Sequence, residues 1–77
     1  MKKVIDFEKT VKELADTYPE FVDLMVALGF TKIKIPGMID SVGRIVTLKK
    51  GCRAMGIDAL KVKTTFEAKG FEVINFD

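Results

Sequence analysis

The sequence contains no histidine and no tryptophan, and its one cysteine is Cys52. Without histidine the chain carries no Ser-His-Asp or Cys-His nucleophile system of its own. With one thiol it has no internal disulfide and no zinc site built on several Cys and His ligands. Long apolar runs are missing too. The longest uncharged apolar stretch, Leu24 to Phe30, falls far short of the ~20 residues that cross a bilayer. Near the start, Lys2 and Lys3 are followed by Asp6 and Glu8, which interrupt any apolar signal region. A single thiol and no targeting segment suit a reducing environment. The expectation is a soluble, cytoplasmic protein without a membrane partner.

What is present is a globular balance, with 48% of the 77 residues apolar and 31% charged. That is one domain, residues 1–77, with no room for a cofactor domain beside a substrate domain. The net charge of +2 hides an uneven distribution. Residues 1–30 hold four Lys against six acidic side chains, which gives −2. Residues 31–63 hold six Lys and two Arg against Asp40 and Asp58, which gives +6. Residues 64–77 return to −2, with Lys69 against Glu67, Glu72 and Asp77. A basic middle between acidic ends is either a solvated Lys-rich surface or a contact for anions or nucleic acid.

The local signals are mostly helical. Lys3 to Phe7 is a short β-prone segment. Thr10-Val11-Lys12-Glu13 has the spacing of a capping box, and Val11, Leu14, Ala15 and Tyr18 follow on one helical face. Tyr18-Pro19 ends that helix and opens a second, whose apolar face is Phe21, Val22, Met25 and Leu28. Gly29 and Phe30 read as its left-handed stop and the apolar residue folding back on it. Thr31 to Met38 is a connector with a Pro36-Gly37 turn. Met38, Ile39, Val42, Ile45 and Val46 predict a third helix with Gly43 inside it. Thr47 caps a fourth helix that turns Leu48, Cys52 and Met55 inward and closes at Gly56. Asp58 caps a fifth, ended by Gly70, and Phe71 to Phe76 closes the chain as a strand with Phe71, Val73 and Asn75 on one side. The expected fold is mainly α: five short helices in one compact bundle, with a two-stranded ribbon formed by the chain ends.

Several short motifs in this order resemble a bacterial family, family 1858 of the domains of unknown function. They are Tyr18-Pro19-Glu20, Leu28-Gly29-Phe30, Pro36-Gly37-Met38, Ser41-Val42-Gly43-Arg44 with Thr47-Leu48, and Phe66 to Val73. The resemblance implies a small helical bundle and leaves activity open. A related branch resembles a redox disulfide domain associated with hybrid-cluster proteins, which carries paired cysteines after the segment matching Leu28-Gly29-Phe30. Here that segment is Thr31 to Gly37 and holds no cysteine, so the dithiol chemistry does not carry over.

Four features remain as candidate sites. Cys52 shares a helical face with Leu48 and Met55, which reads as a buried small apolar residue, and without a second cysteine it has no resolving partner. Met25, Met38 and Met55 read as core fillers. Cys52, Gly56, Ile57 and Val62 match the spacing of a helix-turn-helix, with Lys49, Lys50, Arg53, Lys61 and Lys63 as phosphate contacts. Against it, Asp58, Ala59 and Leu60 offer little to base edges. Arg44 is one of two arginines, and its planar fork grips a carboxylate or phosphate as lysine does not. Its plain alternative is an ion pair with Asp40, four residues earlier.

The sequence therefore predicts no cofactor and no catalysis. The expected function is an interaction or sensory accessory module for a partner protein or a small anionic ligand. Its contact residues would be Arg44, Asp40, Lys49, Lys50 and Arg53. The alternatives are a helix-turn-helix-like nucleic-acid binder and a redox accessory domain that has lost its dithiol.

Overall fold

Thr10 and Thr47 set where two of the helices begin. In the computed structural model, which describes residues 3–76, Thr10 Oγ1 accepts the Glu13 N–H at 3.2 Å while Glu13 Oε1 accepts the Thr10 N–H at 3.4 Å. This is the reciprocal capping box that the sequence predicts. Thr47 Oγ1 accepts the Lys50 N–H at 3.2 Å. Along the described residues the order is β1 (Lys3–Asp6), α1 (Val11–Thr17), α2 (Pro19–Ala27), a 3-10 turn (Thr31–Lys34), α3 (Met38–Ser41), a second 3-10 turn (Val42–Arg44), α4 (Leu48–Met55), α5 (Ala59–Ala68) and β2 (Phe71–Ile74). The fold is mainly α, with five helices and a ribbon of the two terminal strands.

The lead-ins to α1 and α4 pair with each other, Thr10 facing Thr47 in an antiparallel bridge. The Val11 N–H donates to the Val46 carbonyl at 3.0 Å, and the Leu48 N–H donates to the Lys9 carbonyl at 3.0 Å. The Lys49 N–H reaches the Phe7 carbonyl at 3.1 Å. Helix-opening N–H groups that have no intrahelical partner are thus satisfied by backbone from the other helix's entrance.

The ribbon is parallel, with Lys3 opposite Phe71 and Asp6 opposite Ile74. Parallel pairing requires the intervening chain to cross from one end of the ribbon to the other, and all five helices lie in that crossover. Phe71 is buried and Val73 half-buried, but the strand stops at Ile74. Asn75 turns away in a left-handed conformation with φ 55° and donates to Asp6 Oδ1 at 2.9 Å, so it does not continue the inward side. Under the ribbon runs a chain of rings. Phe21 stacks on Phe66 at 5.7 Å, Phe66 meets Phe71 edge-on at 5.3 Å, and Phe71 meets Tyr18 edge-on at 5.3 Å. Tyr18 then accepts the Val4 N–H at 2.9 Å on its phenolic oxygen. Ile5, Phe7, Leu14, Met25 and Val62 fill the space around them, and no polar or charged side chain is buried among the described residues.

The third predicted helix is where sequence and structure part. It is α-helical only over Met38–Ser41 and then tightens into the 3-10 turn, rather than running on to Val46. Ser41 Oγ donates to the Gly37 carbonyl at 2.7 Å, competing for the acceptor that holds the first turn. Gly43 two residues later adds the weakest helix former after proline. The expected core positions Val42 and Ile45 consequently face solvent, at 49% and 80% exposure. Met38 and Met55 are only half-buried, while Met25 is in the core as predicted.

Replacing Tyr18 by Phe keeps the ring contact and removes the acceptor for Val4. It should lower stability by about 1 kcal/mol in chemical denaturation and speed hydrogen exchange at the Val4 amide while Phe7, held by the Ile74 carbonyl, stays slow. Unchanged exchange at Val4 would refute this account of the ribbon.

Candidate functional site

The end of α2 builds one wall of a groove. Gly29, at φ 108°, takes the left-handed conformation open to glycine at little cost. It lets the Phe30 N–H reach back to the Met25 carbonyl at 2.9 Å and its own N–H reach Val26 at 3.0 Å. This turn swings the Phe30 ring against α4 at Gly51, where an added Cβ would lie 3.2 Å from Phe30 Cε2 and Cζ. Glycine inside a helix costs roughly 1 kcal/mol relative to alanine, and here it makes room for a ring.

From Phe30 the chain runs as a strap, residues 31–46, back to the entrance of α4. Ile33 anchors the strap in the core and Ile39 packs beside it. Its pieces are too short to turn a continuous apolar stripe inward, so Ile35, Val42 and Ile45 stay exposed. Between strap and α4 lies a groove of about 220 Å³. Val11 and Phe30 line it together with Ile39 and Val42 of the strap and Ala54 and Met55 of α4. A volume of roughly 150 Å³ in an apolar cavity already accommodates benzene, so a side chain of Leu or Phe size fits.

The charged candidates divide between two environments. Asp40 is exposed, and its carboxylate lies 3.0 Å from Lys12 Nζ, so the expected pair with Arg44 is not the one formed. The break in helical geometry after Ser41 removes the i,i+4 proximity on which that pair depended. Asp40 first and then Asp16, which lies 3.2 Å from Lys12 Nζ, raise the Lys12 pKa from its ordinary value. Lys49 pairs with Glu8 at 3.4 Å, on the side of α4 away from the groove. Arg44 is exposed, between the groove-lining Gly43 and the exposed Ile45. A Cβ at Gly43 would make only ordinary contacts, 3.6 Å from Ile39 Cγ2 and from the backbone N of Lys12. Lys50 is exposed one helical turn before Ala54, and Lys32 lies on the groove itself. Arg53 is exposed on the outer face of α4. Sequence reasoning thus named Arg44 and Lys50 but not Lys32, and it missed the groove, because the groove's apolar residues carry the signature of a core.

The remaining motifs supply less. Cys52 is 1% exposed, packed in the core cluster, and burial pushes its thiol up to about 11. In the helix-turn-helix unit, Lys63 is taken by Glu67 at 3.2 Å and Lys49 by Glu8. Asp58 holds its carboxylate at the start of α5, accepting the Leu60 N–H at 3.0 Å. No group of three or more Cys, Asp or Glu side chains among the described residues is placed to hold a metal ion. No helix among them is long and apolar enough to cross a membrane.

Comparison with known proteins places this geometry. A family model, "Domain of unknown function (DUF1858)", matches residues 5–63. The crystal structure of a conserved domain protein from Streptococcus pneumoniae TIGR4 superposes with a TM-score of 0.92 at 40% identity, covering 100% of this chain and 98% of that one. No curated protein matches the chain. The stretch Phe66 to Val73 lies outside the family-model match and inside the structural superposition.

Cys52 should react with a thiol reagent only as fast as the protein opens. Its pKa is raised on folding from 9.0 to about 11, so the folded state keeps a proton that the unfolded state gives up earlier. The resulting stabilisation is complete below about pH 9 and disappears as pH climbs through about 11, a loss of up to ~3 kcal/mol. Comparing wild type with Cys52→Ala across that range isolates it. Rapid labelling of the native protein, or parallel pH profiles for the two chains, would refute the buried-thiol reading.

Proposed function

The chain belongs to this domain family of unknown function, and from that premise we propose that it is a non-catalytic interaction module that binds a partner protein at the groove between strap and α4. The observation carrying this reading is an open apolar groove of about 220 Å³ whose lining includes the exposed side chain of Val42. Apolar surface left uncovered on a small soluble domain is the usual mark of a protein contact. One buried Leu or Phe supplies roughly 1.5–3 kcal/mol, whereas micromolar affinity needs about 8. A partner must therefore also cover neighbouring surface of the strap, whose apolar residues Ile35 and Ile45 are exposed.

The other readings have less support. A small anionic ligand wants a cage of donors, and Lys32 is the one charged residue in the lining among the described residues. A nucleic-acid contact at α4 and α5 would set phosphates beside the Asp58 carboxylate and two lysines already paired. A redox role would need Cys52 exposed and its thiolate favoured, and burial works against both.

The neutral probe N-acetyl-phenylalanine amide tests the reading without a known partner. At millimolar concentration it should shift the amide resonances of Phe30, Val42, Val46, Ala54 and Met55. Val42→Asp should abolish the shifts and leave the melting temperature within a few degrees, because the side chain is half-exposed. Shifts centred elsewhere, or unaffected by Val42→Asp, would sink the proposal.

A further inference from the structure

Two groups of cations among the described residues differ in their pairing. Lys3, Lys12, Lys49 and Lys63 have carboxylate partners within 3.4 Å. Lys32, Arg44, Lys50 and Arg53 have no carboxylate at ion-pair distance among the described residues. The second set lies along the strap and α4, the two elements that border the groove. The groove lining contains no Asp or Glu at all among the described residues. Lys9, Lys34, Lys61 and Lys69 are unpaired as well among the described residues, so free positive charge is not confined to the groove, but around the groove it meets no acidic side chain in the lining.

An apolar slot with a positive border selects its occupant by charge as well as by shape. We infer that the occupant is an acidic protein segment that inserts one large apolar side chain between Val42 and Ala54 and sets its flanking Asp or Glu side chains against Lys32, Arg44 and Lys50. The inference rests on the groove being a protein-binding site, as proposed above, and adds the chemistry of the partner. Apolar burial holds the anchor, and the cations choose the segment and speed its arrival. Arg44 gives the border a planar, bidentate donor for a carboxylate. A neutral or basic segment with the same apolar anchor gains the first contribution and loses the second.

Two synthetic peptides of about a dozen residues, with Leu and Phe at helical spacing, separate these contributions. One carries Glu at the flanking positions and the other Gln. At low ionic strength the Glu peptide should bind about ten-fold more tightly than the Gln peptide, and the gap should close in about 0.5 M salt as the charges are screened. Lys32→Glu, Arg44→Glu and Lys50→Glu should each weaken the Glu peptide roughly three- to ten-fold and leave the Gln peptide unchanged. Lys61→Glu, on α5 and away from the groove, changes the net charge equally and should have little effect.

If both peptides bind equally, the inference fails while the groove stands as a binding site. If neither binds and N-acetyl-phenylalanine amide also leaves the groove resonances unmoved, both fail together. A Glu peptide weakened as much by Lys61→Glu as by Lys50→Glu overturns the inference in favour of net charge alone. A concentration-dependent dimer that Val42→Asp dissolves overturns it in favour of a second copy of this chain. Binding to anionic phospholipid vesicles in place of the Glu peptide overturns it in favour of a lipid surface.

Discussion

The first N–H groups of any helix have no partner inside that helix, and α1 and α4 meet this constraint together. The Val11 N–H takes the carbonyl before α4, and the Leu48 N–H takes the carbonyl before α1. Neither helix can be shifted along its axis without stranding donors on both. This pairing ties residues 9–11 to residues 46–48 and fixes the far end of the strap, while the turn at Gly29 and Phe30 fixes the near end. The groove is the space left over when a segment pinned at both ends cannot close onto α4.

The two sides of the molecule are built differently as a result. On the ribbon side, the ring chain from Phe21 to Tyr18 packs without polar inclusions and ends on a hydrogen bond to Val4. On the strap side, Ile33 is the buried anchor of a segment whose other large apolar residues are half-buried or exposed. Dense packing and open apolar surface therefore coexist in a domain small enough that the second is costly. Gly51 illustrates the compromise, since it weakens α4 and admits the Phe30 ring that lines the groove.

Features decided within a few residues were legible in the sequence. The Thr10 and Glu13 box, the Tyr18-Pro19 junction, the Gly29 stop and the Thr47 and Asp58 caps depend on neighbours along the chain, and all are found where the spacing places them. The parallel sense of the ribbon was not legible, because Val4 and Ile74 carry no directional signal. The groove was not either. Met38, Val42 and Ile45 have the periodicity of a buried helix face, and their exposure follows from Ser41 and Gly43 interrupting that helix. Arg44 and Lys50 stand out as charged candidates in the sequence, but Asp40 and Lys49 do too. Only the distances to Lys12 and Glu8 separate the second pair from the first.

The parallel ribbon also governs how the domain would carry tension. Lys3 and Phe71 share one end, and Asp6 and Ile74 share the other, roughly 10 Å away at ~3.3 Å per residue. A chain continuing on both sides would enter at one end and leave at the opposite one. Pulling on those continuations slides β1 and β2 past each other, so the ladder bonds bear the load together rather than opening one after another.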